Sequence, residues 1–166
     1  MARGRIKLAV LVQDLEFGGT QRYALNLLTH IDRDTFDPRL WVLRGGMDMM
    51  AIAEQAGIPV VHFSHSTSVG PYSLIRLWLR LRRDRPDVLY TLTVIPNTWG
   101  RFLGHLSGVP VIVSSFRNRI ARQYESWLSR LSARIVCNAA SLKHMIVEQF
   151  GVAPERIPVI PNGVDT

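Results

Sequence analysis

The chain has 166 residues, 47% of them hydrophobic and 20% charged, which suits one globular domain with a substantial core and excludes a disordered or fibrous chain. Its 20 Lys and Arg outnumber 13 Asp and Glu, giving a formal charge of +7, so an anionic partner is favoured: a phosphorylated substrate, a nucleic acid or a membrane surface. No run approaches the roughly 20 apolar residues of a membrane span, and the lone cysteine, Cys137 in an apolar run, excludes an intramolecular disulfide and favours a reduced, cytoplasmic setting.

Segment 6–12 (IKLAVLV) is apolar at six of seven positions and β-branched at three, the pattern of a central strand covered on both faces. Arg3 and Arg5 before it imitate a signal peptide, but the run is short and Gln13-Asp14 ends it without a small-residue cleavage site. Tyr23, Ala24, Leu27, Leu28 and Ile31 then recur at helical spacing, with Gln21, Arg22, Asn26 and Thr29 opposite. Between strand and helix, Gly18-Gly19-Thr20 has two readings. It is a tight turn with Thr20 as N-cap, or a seat for phosphate where unhindered N–H groups meet the positive end of the helix dipole.

Downstream, segment 39–43 reads as a second strand closed by Gly45-Gly46, segment 47–55 as a helix stopped by Gly57, and segment 58–63 as a third strand. The polar stretch 64–71 is the longest loop of this half. A helix over 72–83 carries a broad apolar stripe (Leu74, Ile75, Leu77, Trp78, Leu79, Leu81) and a basic line of Arg76, Arg80 and Arg83. That line is either a face resting on anionic lipid, with Trp78 near the interface, or a solvated outer face. Strand 88–92 follows Arg85-Pro86-Asp87 and leads through 93–97 (TVIPN) into a helix over 98–106 stopped by Gly108. Strand 109–113 has Pro110 near its start, where a lost donor matters least. The polar and basic stretch 114–119 (SSFRNR) comes directly after it. A helix over 121–131, a strand over 135–138, a helix over 140–150 ended by Gly151 and a short strand over 157–160 complete the chain before 161–166 (PNGVDT).

Strands and helices alternate along the entire length, so the expected fold is a doubly wound α/β domain with a parallel sheet of about seven strands and helices on both faces. Ligands of such sheets bind beyond the carboxyl ends of the strands, which makes 16–20, 93–97 and 114–119 the loops of interest. A dinucleotide site is the natural rival. The first loop lacks GxGxxG, and the second strand ends in Leu43-Arg44 with no acidic residue for a ribose diol, although Arg44 suits a 2′-phosphate. No GxxxxGK[ST] occurs, which excludes a P-loop.

Five pieces, in order and spanning the chain, resemble family 4 glycosyltransferases. Phe17-Gly18-Gly19-Thr20-Gln21-Arg22 is similar to their GG-x-[EQ]-R loop, and Arg85-Pro86-Asp87-Val88-Leu89-Tyr90 to their RPDVVH-type entry into the fourth strand. Gly108-Val109-Pro110-Val111-Ile112-Val113-Ser114 resembles their G-x-P-x-I-x-S strand, and Arg134-Ile135-Val136-Cys137-Asn138-Ala139 a strand before a Ser-rich helix start. The most specific is Val159-Ile160-Pro161-Asn162-Gly163-Val164-Asp165, similar to the V-I-P-N-G-V-D signature at the border between their two domains.

The resemblance implies the N-terminal half of a GT-B architecture, with residues 1–166 a single Rossmann-like, acceptor-side domain and the donor-binding domain, with its pair of Glu residues, beyond it. It implies sugar transfer from a nucleotide sugar with retention of configuration, without a metal or other cofactor, to a glycan or lipid-phosphate acceptor. The implied setting is cytoplasmic, with peripheral contact to the inner face of an anionic membrane and no nucleic-acid partner. The substrate-binding candidates are Gly18, Gly19, Thr20, Asn97, Arg117, Asn118 and Arg119. No catalytic residue is assigned. Many relatives carry a His after the fifth strand, where this chain has Phe116-Arg117-Asn118, and His62, His65 and His105 are not at that position. Arg117 offers a fork suited to phosphate, or else pairs with an acidic neighbour such as Glu125. A non-catalytic binding module and a sugar-nucleotide epimerase on the same architecture are the alternatives.

Overall fold

The computed structural model describes residues 4–117 and 124–161. Six parallel strands form one sheet in the order β3-β2-β1-β4-β5-β6: β1 Ile6–Val12, β2 Phe36–Val42, β3 Val60–His62, β4 Val88–Leu92, β5 Val111–Phe116 and β6 Arg134–Cys137. The helices that follow the strands in turn are α1 Gly19–His30, α2 Met50–Gln55, α3 Pro71–Asp84, α4 Arg101–Leu106, α5 Glu125–Leu128 and α6 Ala140–Phe150. The chain order reverses between β1 and β4, the switch point at which doubly wound sheets open a ligand crevice.

Alternation along the central strands loads both faces. Leu8, Val10 and Val12 pack with Ala24, Leu25 and Leu28 of α1, while Ala9 and Leu11 pack with Trp41, Leu77, Leu81 and Leu103 under α3 and α4. Each such aliphatic side chain contributes about 1.5–3 kcal/mol by leaving water. The apolar face of α1 is turned slightly from expectation: Leu25 is fully buried, whereas Tyr23, Leu27 and Ile31 are only half-buried at the cluster's edge. On the other face α4 and the residue preceding it sit close to the sheet through glycines four residues apart. A Cβ on Gly100 would lie 2.6 Å from Thr91 Cγ2, and one on Gly104 would lie 2.8 Å from Leu89 Cδ2.

Several elements depart from the sequence-based expectation, among them β2, which starts at Phe36 rather than Arg39 and runs through Asp37 and Pro38. β5 does not stop at residue 113 but runs on through Ser114 and Ser115, which pair with Thr91 and Leu92. Residues 96–100, expected as the end of the connecting loop and the start of the helix over 98–106, form a π-helical turn leading directly into α4. The expected seventh strand over 157–160 joins the sheet by a single parallel bridge, Cys137 to Val159, because Pro158 and Pro161 on either side bring no N–H to a ladder. The expected helix over 121–131 lies partly outside the described residues; within them it is α5 followed by a 3₁₀ turn, Ser129–Leu131.

Candidate active-site edge

The loop after β1 is held by Asp14. Its buried carboxylate accepts from Arg44 Nε and Nη2 at 3.0 and 2.7 Å, from Gln21 Nε2 at 2.7 Å and from Gln13 Nε2 at 3.2 Å. Arg44 is thus bound into the scaffold, which removes the group that a 2′-phosphate would need. Gln21 folds back over Gly18, where a Cβ would meet its Oε1 at 2.5 Å, while a Cβ on Gly19 would meet open space. Gly18 is the N-cap of α1, and no side chain caps the helix. Thr20 therefore does not cap, contrary to the tight-turn reading, and sits half-buried in the first turn beside the ends of β4 and β5.

Thr20, Thr93, Asn97, Ser115, Phe116, Arg117 and Glu125 line one small recess at this edge, of about 20 Å³, room for about one water molecule. Its wall is a buried polar network. Thr91 Oγ1 donates to Asn97 Oδ1 at 2.7 Å, Asn97 Nδ2 donates to Ser115 O at 2.9 Å, and the Ser114 and Ser132 hydroxyls are 2.8 Å apart. Both ends of the Asn97 amide are thereby engaged inside the protein. Thr93, at φ 74, is a β-branched residue in the left-handed region, a strained conformation that concentrates at ligand edges.

Two arginines define the charge of this edge. Arg101 is wholly buried, donates from Nη2 to Glu125 Oε2 at 2.6 Å and from Nε to Asn97 O, and its Nη1 has no hydrogen-bond partner among the described residues. Burial pulls its pKa down, and Glu125 opposes that shift. The acidic neighbour considered for Arg117 is thus engaged by Arg101. Arg117, half-buried at the end of β5, has its Cζ 3.6 Å from the Tyr23 ring centroid. The Tyr23 hydroxyl lies 3.2 Å from that of Tyr90, whose phenol is pushed up by burial and by the Tyr23 hydrogen bond.

Of the candidate residues, Thr20, Asn97 and Arg117 meet at the recess beside Gly18 and Gly19, while Asn118 and Arg119 lie outside the described residues. Arg101 was not singled out from sequence, Glu125 was considered only as a partner of Arg117, Tyr23 only as part of the apolar face of its helix, and Thr93 only within the loop 93–97. Arg101 leaves one trace in the sequence, a charge on an otherwise apolar, glycine-bearing helix. The histidines stand elsewhere: His62 Nε2 is 2.9 Å from Arg44 O, and its ring meets that of His65 edge-on at 4.5 Å. Larger cavities of about 260 and 680 Å³ open at the opposite, amino-terminal edge of the sheet, around Lys7, Arg39 and Arg83 and around Arg82, Arg85 and Leu106. Among the described residues no group of His, Cys, Asp or Glu converges as a metal site, and no helix is long and apolar enough to cross a membrane.

A parallel sheet of this order, with its switch point between β1 and β4, defines a Rossmann-like α/β domain. The chain belongs to Glycosyltransferase Family 4, whose family model matches residues 17–166. The UDP-Gal:alpha-D-GlcNAc-diphosphoundecaprenol alpha-1,3-galactosyltransferase of Escherichia coli is 26% identical over 176 residues, covering 97% of this chain and 46% of that protein. The crystal structure of Anabaena HepE in complex with UDP-glucose superimposes with a TM-score of 0.77 at 17% identity, covering 97% of this chain and 45% of HepE. The UDP-GlcNAc 2-epimerase from Neisseria meningitidis bound to UDP-GlcNAc does so at 0.69 and 12%, covering 95% and 46%. At such identities the superpositions show the fold alone. The chain spans about half the length of the relatives it matches.

Proposed function

We propose that this chain is the acceptor-side half of a two-domain glycosyltransferase that moves a sugar from a nucleotide sugar to a lipid-linked diphosphate acceptor. The observation that carries the reading is Arg117, a guanidinium held at the carboxyl edge of β5 next to Thr20 and the uncapped start of α1. Its side chain keeps its proton near neutral pH and so is no general base; its work is to hold and neutralise phosphate oxygen. In the transfer the bond from the sugar's anomeric carbon to the nucleotide breaks, with the electron pair leaving on the diphosphate. A bond to the acceptor hydroxyl forms, and that hydroxyl's proton passes to the departing diphosphate oxygen. No metal or other cofactor enters this scheme. The second domain, beyond residue 166, holds the donor and closes the small recess into a full site.

A diphosphate-bearing acceptor is supported by the name of the E. coli relative, which carries a diphosphoundecaprenol substrate. A membrane-bound acceptor also accounts for the outer face of α3. Ser73, Leu77 and Leu81 of this helix face the core, while on its outer side Tyr72, Ile75 and Leu79 are exposed alongside Arg76, Arg82 and Arg83; Arg80 of the expected basic line is instead paired with Asp84. Apolar side chains among arginines suit peripheral contact with anionic lipid on the cytoplasmic side. Trp78 is not at that interface; it is half-buried, with Arg82 Cζ 5.1 Å from its ring centroid.

The test is transfer of labelled sugar by the intact protein from UDP-sugars to a prenyl-diphosphate-linked saccharide and to its phosphate-free analogue. Transfer that prefers the diphosphate acceptor supports the reading. Epimerisation of the nucleotide sugar without transfer, or equal use of both acceptors, overturns it.

A further inference from the structure

The other guanidinium–ring approaches among the described residues have Cζ 5.1 to 5.7 Å from the ring centroid, whereas Arg117 sits 3.6 Å above Tyr23. That is van der Waals contact over the centre of the ring, where a cation meets the negative face of the π system. Tyr23 is itself tethered, its hydroxyl 3.2 Å from that of Tyr90, a buried residue of β4. Three elements are therefore linked in one line: β4 through Tyr90, α1 through Tyr23, and the end of β5 through Arg117.

We infer that Tyr23 is the positioning residue of Arg117, holding the plane of the guanidinium so that its edge presents a fork to phosphate oxygens. Stacking engages the face of the group and consumes none of its N–H donors, which lie in the plane. The rotamer freedom of a long side chain is then given up on folding rather than on binding, so the ligand gains the hydrogen bonds without that loss. Burial pulls the Arg117 pKa down, and Tyr23 and Tyr90 oppose the shift. The ring does the holding, and the hydroxyl aligns the ring. The inference rests on the reading of Arg117 as the phosphate-holding group.

The experiment uses the intact protein with Tyr23→Leu, Tyr23→Phe, Arg117→Ala and the Leu–Ala double variant. It reads KM and kcat for the diphosphate acceptor, and the order of the Arg117 Nε–H by nitrogen NMR relaxation. Tyr23→Leu is expected to raise KM about tenfold with kcat little changed and to loosen Arg117 Nε, while Tyr23→Phe stays within about threefold. In the Arg117→Ala background Tyr23→Leu should add less than about twofold, because the partner it orients is gone. A full additional loss there, or an unchanged Nε order in Tyr23→Leu, overturns the inference. Should Tyr23→Leu fail to fold, Tyr23→Met replaces it with the same expectations. If Arg117→Ala leaves KM untouched while Tyr23→Leu still loosens Arg117, the phosphate reading fails and the positioning role stands.

Discussion

Arg101 and Glu125 meet Nη2 to Oε2 at 2.6 Å with neither side chain more than 4% exposed, and this pair ties α4 to α5 at the wall of the recess. Removing one partner leaves the other charge buried and alone, which costs about 3–5 kcal/mol. Glu125→Ala should therefore lower the urea midpoint by that equivalent, whereas Arg101→Met with Glu125→Leu should come back to within about 1 kcal/mol of the parent. If Glu125→Ala costs less than about 1 kcal/mol, the pair is not what fixes α5.

Arg117→Ala is expected to reduce kcat/KM for a diphosphate acceptor by about ten- to a hundred-fold, since a hydrogen bond to a charged group is worth roughly 1.5–3 kcal/mol. Arg117→Lys should recover only part, because a point charge does not reproduce a planar fork. The melting temperature should hold in both. Steady-state kinetics on the acceptor and its phosphate-free analogue decide it: equal losses on the two remove the phosphate role.

The outer face of α3 makes a prediction independent of catalysis. Each basic side chain near an anionic surface contributes about 1 kcal/mol, so replacing Arg82 and Arg83 by Ala should weaken sedimentation with phosphatidylglycerol vesicles by about thirtyfold. Leu79→Ala should weaken it further, and raised salt should mimic the arginine changes but not the leucine one. Equal binding to neutral vesicles would argue against the electrostatic part.

Cys137 is wholly buried in the cluster with Ile135, Leu142 and Ile146, and burial pushes its thiol up from 9.0 to about 11. The folded state thus keeps its proton where the unfolded chain has lost it. This contribution is intact below about pH 9 and is lost as pH rises toward about 11. The decline of stability over that window should be shallower in Cys137→Ala than in the parent, and the native thiol should resist alkylation at pH 8. Parallel curves for the two proteins would remove the thiol as the cause.

What residues close together in sequence could decide was legible without the fold. The bounds of β4 over 88–92 and of α6 over 140–150 coincide with those expected from sequence, because a proline before one and a glycine after the other interrupt the backbone locally whatever packs around it. The alternation of buried strands with amphipathic helices likewise dictated a parallel doubly wound sheet. Where polar groups find partners far along the chain, local pattern was silent. Ser114 and Ser115 read as loop residues, but the sheet accepts them because Thr91, Asn97 and Ser132 satisfy their polar groups from other elements. Tyr23 read as a core residue of its helix, and only the approach of β5 put a guanidinium on its ring. Arg101 and Glu125 stand 24 residues apart, and a buried charge is tolerated only where the tertiary fold brings its counter-charge within hydrogen-bond distance.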